Sequence, residues 1–153
     1  MTNYDELITI LPNLIEGHEN VTILANSSAL LDEYLDNINW VGFYIINNDE
    51  LILGPFQGKV ACSPIKFGRG VCGTCIADEK TIVVDDVHKF KGHIACDSAS
   101  NSEICIPLYN NGKLYGLLDI DSPIFNRFSE IDKNKLEQIS NIISKSLKKE
   151  TLI

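Results

Sequence analysis

Residues 103–121 read Glu103-Ile104-Cys105-Ile106-Pro107-Leu108-Tyr109-Asn110-Asn111-Gly112-Lys113-Leu114-Tyr115-Gly116-Leu117-Leu118-Asp119-Ile120-Asp121, and this run decides the fold. Two apolar stretches flank an Asn/Gly turn, the pattern of an antiparallel strand pair. Ile104, Ile106 and Leu108 share one face of the first strand, and Leu114, Leu118 and Ile120 share one face of the second. Glu103, Asp119 and Asp121 take the opposite face. The two apolar faces coincide only if paired residue numbers sum to an even value, which a three-residue loop, Asn110-Asn111-Gly112, supplies. Glu103 then lies opposite or diagonal to both aspartates. Three carboxylates on one sheet face raise one another's pKa, which suits either cation binding or an acid kept protonated near neutrality. A solvated edge with ordinary acids is the alternative.

Working outward, Ser129-Glu130-Ile131-Asp132 resembles a capping box and opens a helix whose apolar stripe is Leu136, Ile139, Ile143 and Leu147. On the other side, Trp40 to Ile46 and Leu51 to Leu53 form a hairpin around Asn47-Asn48-Asp49. A helix is expected over Tyr4 to Glu16, kinked or divided by Pro12 and ended by Gly17, with a second between Thr22 and Leu35. The stretch from Gln57 to Ser102 is rich in Gly, Ser, Asp and Cys. It holds a short strand at Thr81 to Val84 and a helix starting near Val71. Helices at both ends of a mostly antiparallel sheet make an α+β sandwich, expected as a single domain over residues 1–153.

Bulk properties narrow the function. A formal charge of −8 leaves no basic surplus for phosphate, so nucleic acid is not an expected partner. Acidic Asp5 and Glu6 sit where a signal peptide would be basic, and no apolar run approaches a membrane span. A soluble, cytoplasmic protein is expected. In that setting the five cysteines, Cys62, Cys72, Cys75, Cys96 and Cys105, all in the middle of the chain, point to reactivity or metal binding rather than a disulfide framework.

Several motifs compete for the chemistry. Gly68-Arg69-Gly70-Val71-Cys72-Gly73 fits a dinucleotide fingerprint in letters only, because no buried parallel strands frame it; a glycine-rich turn into a helix is expected instead. Cys72-Gly73-Thr74-Cys75 lacks a second ligand pair for structural zinc, and Cys75, one helical turn on, is expected to face the core. Cys96, in a loop rich in Ser, Asp and Asn, has the accessibility a nucleophilic thiol needs, with a buried, inert cysteine as the alternative. Trp40 and Tyr44, four apart on one strand face, could wall a small pocket or simply pack in the core.

Taken in order, Asn39 to Tyr44, Gly54 to Gly58, Gly68 to Gly73, Asp86-Val87-His88, Gly92 to Asp97, Ser100 to Glu103 and Leu118 to Ser122 resemble the free methionine-R-sulfoxide reductases, a GAF-domain family. The resemblance implies a roughly six-stranded, mainly antiparallel sheet flanked by helices, and a homodimer. It implies Cys96 as the attacking cysteine, Cys62 as the principal resolving cysteine and Cys72 as a further redox partner, with the order of Cys62 and Cys72 left open. Glu103, Asp119 and Asp121 correspond to the acidic substrate-binding set and Trp40 and Tyr44 to the pocket wall; Cys75 and Cys105 fall outside the family's triplet.

The implied reaction needs no metal or organic cofactor. The Cys96 thiolate attacks the sulfoxide sulfur, Asp121 or Glu103 donates a proton, and the resulting sulfenic acid condenses to a disulfide that thioredoxin reduces. The remaining carboxylates pair with the ammonium of free methionine sulfoxide, which a residue inside a polypeptide lacks. A ligand-binding sensor domain and a thiol redox sensor without turnover are the rival classes.

Overall fold

In chain order, helices α1 (Tyr4–Ile15) and α2 (Asn20–Tyr34) precede strands β1 (Trp40–Asn47), β2 (Glu50–Gln57) and β3 (Ile65–Lys66). Helix α3 (Gly70–Asp78), strands β4 (Ile82–Val84), β5 (Ser102–Asn110) and β6 (Lys113–Ser122), and helix α4 (Glu130–Ser146) follow. These come from a computed structural model that describes residues 1–94, 96 and 98–148; residues 149–153 of the expected domain lie outside the described residues. The six strands form one sheet in the order β3-β2-β1-β6-β5-β4, and every pairing is antiparallel. The α+β sandwich is therefore as expected. Among the described residues no helix is long and apolar enough to cross a membrane.

Alternation along the strands divides the sheet into two chemically different faces. Val41, Phe43, Ile45, Ile104, Ile106, Leu108, Leu118 and Ile120 join Leu7, Leu11, Leu24, Leu31, Leu136, Ile139 and Ile143 in the larger core beneath α1, α2 and α4. Trp40, Tyr44, Cys105 and Leu117 point the other way and pack with Val71, Cys72, Cys75 and Ile76 of α3. The larger core is dominated by aliphatic and aromatic side chains, whereas the α3 side carries thiols beside its apolar groups.

The central hairpin has the expected alternation from Leu117 onward but not at Leu114, which packs on the α3 side while Tyr115 takes the side of the larger core, and it has a different turn. Asn110 pairs with Lys113, so the loop is the two-residue Asn111-Gly112, with φ of 55° and 79°. Such a turn suits the twist of the strands because Asn and Gly tolerate left-handed backbone. By itself it gives an odd register. A β-bulge between Leu108 and Tyr109 restores the even one, so that Leu108 pairs with Gly116 and Glu103 with Asp121; an extra residue in one strand shifts every pair beyond it by one. The three-residue loop is thus corrected to a tight turn plus a bulge.

Elsewhere, α1 continues through Pro12 as one helix. Helix α4 begins at the expected capping box: the Ser129 hydroxyl accepts from the Asp132 amide, and the Asp132 carboxylate accepts from the Ser129 amide. The same carboxylate pairs with Arg127 at 3.1 Å and accepts from the Tyr4 hydroxyl at 2.6 Å, which ties α1 to α4. Strand β2 extends past Leu53 to Gln57, and β3, only two residues long, is an unforeseen addition to the edge.

Candidate active site

The site grows from the pocket face of β1, β5 and β6. Trp40 pairs with Asp121 and Gly42 with Asp119 across β1 and β6, while Cys105 pairs with Asp119 across β5 and β6. Glu103, Cys105 and Asp119 thereby come to one place, all buried. Opposite them stands α3, entered by the Gly68–Gly73 turn. Gly68 and Gly70 have φ of 82° and 66°, and a Cβ at Gly73 would lie 2.6 Å from the Lys66 carbonyl. The glycines therefore serve a tight entry into a helix, as expected, and bring Cys72 over the sheet.

A small cavity of about 50 Å³, partly open to solvent, lies between these elements. Trp40 and Tyr44 wall it, Glu103, Asp119 and Asp121 line its sheet side, Cys72 faces them from α3, and Cys96 reaches it from the loop before β5. Arg69, His93 and Ser100 also line it. Sequence reasoning did not single out those three, because none stands in a strand whose alternation would orient it.

The aromatic wall also holds the loop that carries Cys62. Trp40 stacks on Phe56 at 5.1 Å and on Tyr44 at 6.0 Å between ring centroids. Its indole N–H donates to the Lys59 carbonyl at 3.0 Å, and the Tyr44 hydroxyl donates to the Cys62 carbonyl at 2.8 Å. Cys62 is joined to Cys96 by a disulfide, with the Cα atoms 5.7 Å apart. The loop before β5 is tied down in turn, since Asn101 meets the His88 ring at 2.9 Å and donates to the Pro123 carbonyl at 2.7 Å. Asp86 caps the short turn bearing His88 by accepting from its amide.

Electrostatics separate the thiols into two kinds. Cys96 is exposed at the cavity mouth. Cys72, Cys75 and Cys105 are buried and unbridged. The Cys105 hydrogen bond pulls the Cys72 thiol down, but burial and the charges of Asp119 and Asp121 outweigh it and push the pKa up to about 12. Burial likewise raises Cys105 and Cys75. Glu103 is pushed well above the carboxylate range by burial and then by the charges of Asp119 and Asp121. Burial also raises Asp119, against hydrogen bonds from Glu103, Cys105 and Cys72. The floor of the cavity therefore holds protons that an exposed carboxylate pair would release.

The structure brings together Cys96, Cys62, Cys72, Glu103, Asp119, Asp121, Trp40 and Tyr44, as the sequence motifs require, and Cys75 faces the core. Cys105 is different: it belongs to the acid cluster. Its parity with Glu103 along β5 was the available signal.

Comparison with known proteins accords with this geometry. The GAF domain family matches residues 6–147. The chain is 54% identical over 124 residues to the free methionine-R-sulfoxide reductase of Escherichia coli, covering 81% of this chain and 75% of that protein. It is also similar to the reduced form of fRMsr of Staphylococcus aureus, at 54% identity and a TM-score of 0.94, with 97% of each chain covered. The complex of that protein with substrate matches at 53% identity and a TM-score of 0.92, again over 97% of each chain. With an acid-floored cavity, an aromatic wall and a cysteine pair at its mouth in a fold of this likeness, the chain belongs to the GAF-domain family of free methionine-R-sulfoxide reductases.

Proposed function

We propose that this chain reduces the R-sulfoxide of free L-methionine to L-methionine, with Cys96 as the nucleophile. The observation that carries the reading is the placement of Cys96, bonded to Cys62, at the mouth of a cavity floored by Glu103 and Asp119. The Cys96 thiolate attacks the sulfoxide sulfur while the Glu103 carboxylic acid gives its proton to the oxygen. The oxygen passes to Cys96, which becomes a sulfenic acid, and the substrate leaves as the thioether.

Cys62 then attacks the sulfenic sulfur, expelling water and forming the disulfide. Cys62 takes this step ahead of Cys72 because burial and neighbouring carboxylates hold the Cys72 thiol protonated, and the thiolate is the reactive form. An external dithiol, thioredoxin in this reading, exchanges with the bridge and restores both thiols. Asp121 and Asp119 bind the substrate ammonium, and Trp40 and Tyr44 flank its apolar chain. The family relationship supports a homodimeric protein working in the reducing cytoplasm.

Separate incubation with the two epimers of free methionine sulfoxide and a dithiol tests the reading. Consumption of the R epimer alone is expected, with peptide-bound sulfoxide left intact. Binding without consumption of either epimer would instead assign the cavity to a sensor.

A further inference from the structure

The mechanism uses the acids but gives no step to Cys72 or to Cys105, which is fully buried and sits against both. The Cys72 and Cys105 sulfurs are 3.5 Å apart. One Glu103 oxygen, Oε2, lies 3.8 Å from Cys72 Sγ and 3.5 Å from Cys105 Sγ. Asp119 Oδ1 is 3.3 Å from Cys105 Sγ. One ligand atom from each of these four residues lies within 4.8 Å of the other three.

Those spacings have a chemical meaning beyond thiol hydrogen bonding. A tetrahedral ion with metal–sulfur bonds of about 2.3 Å and metal–oxygen bonds of about 2.0 Å sets its ligands roughly 3.3 to 3.8 Å apart. Four of the six edges in this cluster already fall there. The donor set, two thiols and two carboxylates, suits a borderline-soft divalent cation, whereas magnesium or calcium prefers all-oxygen shells. Three separate elements supply it: Cys72 from α3, Glu103 and Cys105 from β5, and Asp119 from β6. The site is thus held by the packing of α3 on the sheet and not by one flexible loop.

We propose that Cys72, Cys105, Glu103 and Asp119 form a binding site for a thiophilic divalent cation such as Zn²⁺, at the floor of the cavity. The ion enters as M²⁺ and displaces the thiol and carboxyl protons to solvent, with no change of oxidation state. The same cation neutralises the crowded negative charge that otherwise holds these groups protonated. Because Glu103 and Asp119 are shared, metal and substrate exclude one another; that clause alone rests on the function proposed above. Zinc would then act as an inhibitor, and Cys105 is the residue that adds this sensitivity.

Cobalt, a spectroscopic stand-in for zinc, tests the site in the reduced Cys62→Ser/Cys96→Ser variant, which lacks the outer thiol pair. Expected are one Co²⁺ per chain, a thiolate-to-cobalt charge-transfer band with intense visible bands of tetrahedral cobalt, and bleaching by one equivalent of Zn²⁺. Adding Cys105→Ser weakens cobalt binding by more than about tenfold, at least the loss that follows removal of an outer-shell partner. If that variant fails to fold by circular dichroism, Asp119→Asn must show the same weakening with the charge-transfer band retained at saturation. Pale octahedral cobalt in the parent variant, or affinity unchanged without Cys105 or the Asp119 carboxylate, overturns the proposal. Methionine sulfoxide should raise the apparent cobalt dissociation constant. Tight cobalt binding without that competition would leave the metal site standing and count against the substrate reading.

Discussion

The two faces of the sheet use the same strands to opposite ends. On β5, Ile104, Ile106 and Leu108 enter an apolar core under α4, while Glu103 and Cys105, one residue out of phase, face α3, where Glu103 lines the cavity and Cys105 is buried beside it. On β6 the partition repeats, with Leu118 and Ile120 against Asp119 and Asp121. The first face gains stability from burial of apolar area. The second buries carboxyl and thiol groups whose desolvation opposes folding unless they stay protonated and hydrogen-bonded. A strand period of two lets one hairpin serve both, and the four α3-facing groups are held in place by the core behind them.

Substitutions on either face should therefore separate activity from stability. Glu103→Gln lowers turnover of the R-sulfoxide by about 10²- to 10⁴-fold, the range for loss of a general acid. Thermal unfolding at neutral pH is not weakened, because the amide keeps the volume and neutrality of the protonated acid that burial maintains there. Steady-state kinetics beside a melting curve check both halves. Wild-type turnover in that variant would move proton donation to another acid.

Ile104→Ala, next along the same strand, behaves in the opposite way. Loss of a fully buried aliphatic side chain costs about 2–5 kcal/mol, measurable by denaturant unfolding, while KM for the sulfoxide stays near the wild-type value in the folded fraction. A large KM change with stability intact would show that the two faces are coupled more tightly than their packing suggests.

A smaller effect concerns pH. Glu103 and Asp119 have raised pKa values in the folded protein, so the folded state binds protons more tightly than the unfolded chain. Below the unfolded carboxylate pKa both states are protonated and this contribution is fully present. As pH rises through the folded values it is lost, at no more than about 1.4 kcal/mol per pH unit for each proton. Melting temperature followed against pH should fall across that window, and the Glu103→Gln/Asp119→Asn pair should flatten the slope. An unchanged slope would mean that these acids ionise in the folded protein much as they do when unfolded.

The division between faces was legible because alternation leaves a direct mark in the sequence: Ile104, Ile106, Leu118 and Ile120 against Glu103, Asp119 and Asp121. The capping box at Ser129 was equally direct, since its geometry is local. The bulge, whose extra residue is Tyr115 between Leu114 and Gly116, was not, because a lone glycine inside an apolar strand fits regular pairing as well as a bulge, and two-residue β3 is too short to show a period. The site was legible through its motifs, which set Cys96, Cys62 and Cys72 beside the acids. The closeness of Cys105 to Cys72 escaped because it arises where α3 crosses β5, 33 residues apart, and no local pattern encodes a crossing.

The central claim is that Cys96 accepts the sulfoxide oxygen, and trapping that oxygen tests it most directly. In the Cys62→Ser/Cys72→Ser variant the sulfenic acid has neither resolving partner, so a carbon nucleophile selective for sulfenic acids should label it. After one turnover with the R epimer, mass spectrometry should find the label on Cys96 in proportion to methionine formed, and none after the S epimer. Methionine formed with Cys96 unlabelled, or a label confined to Cys75 or Cys105, would contradict the account.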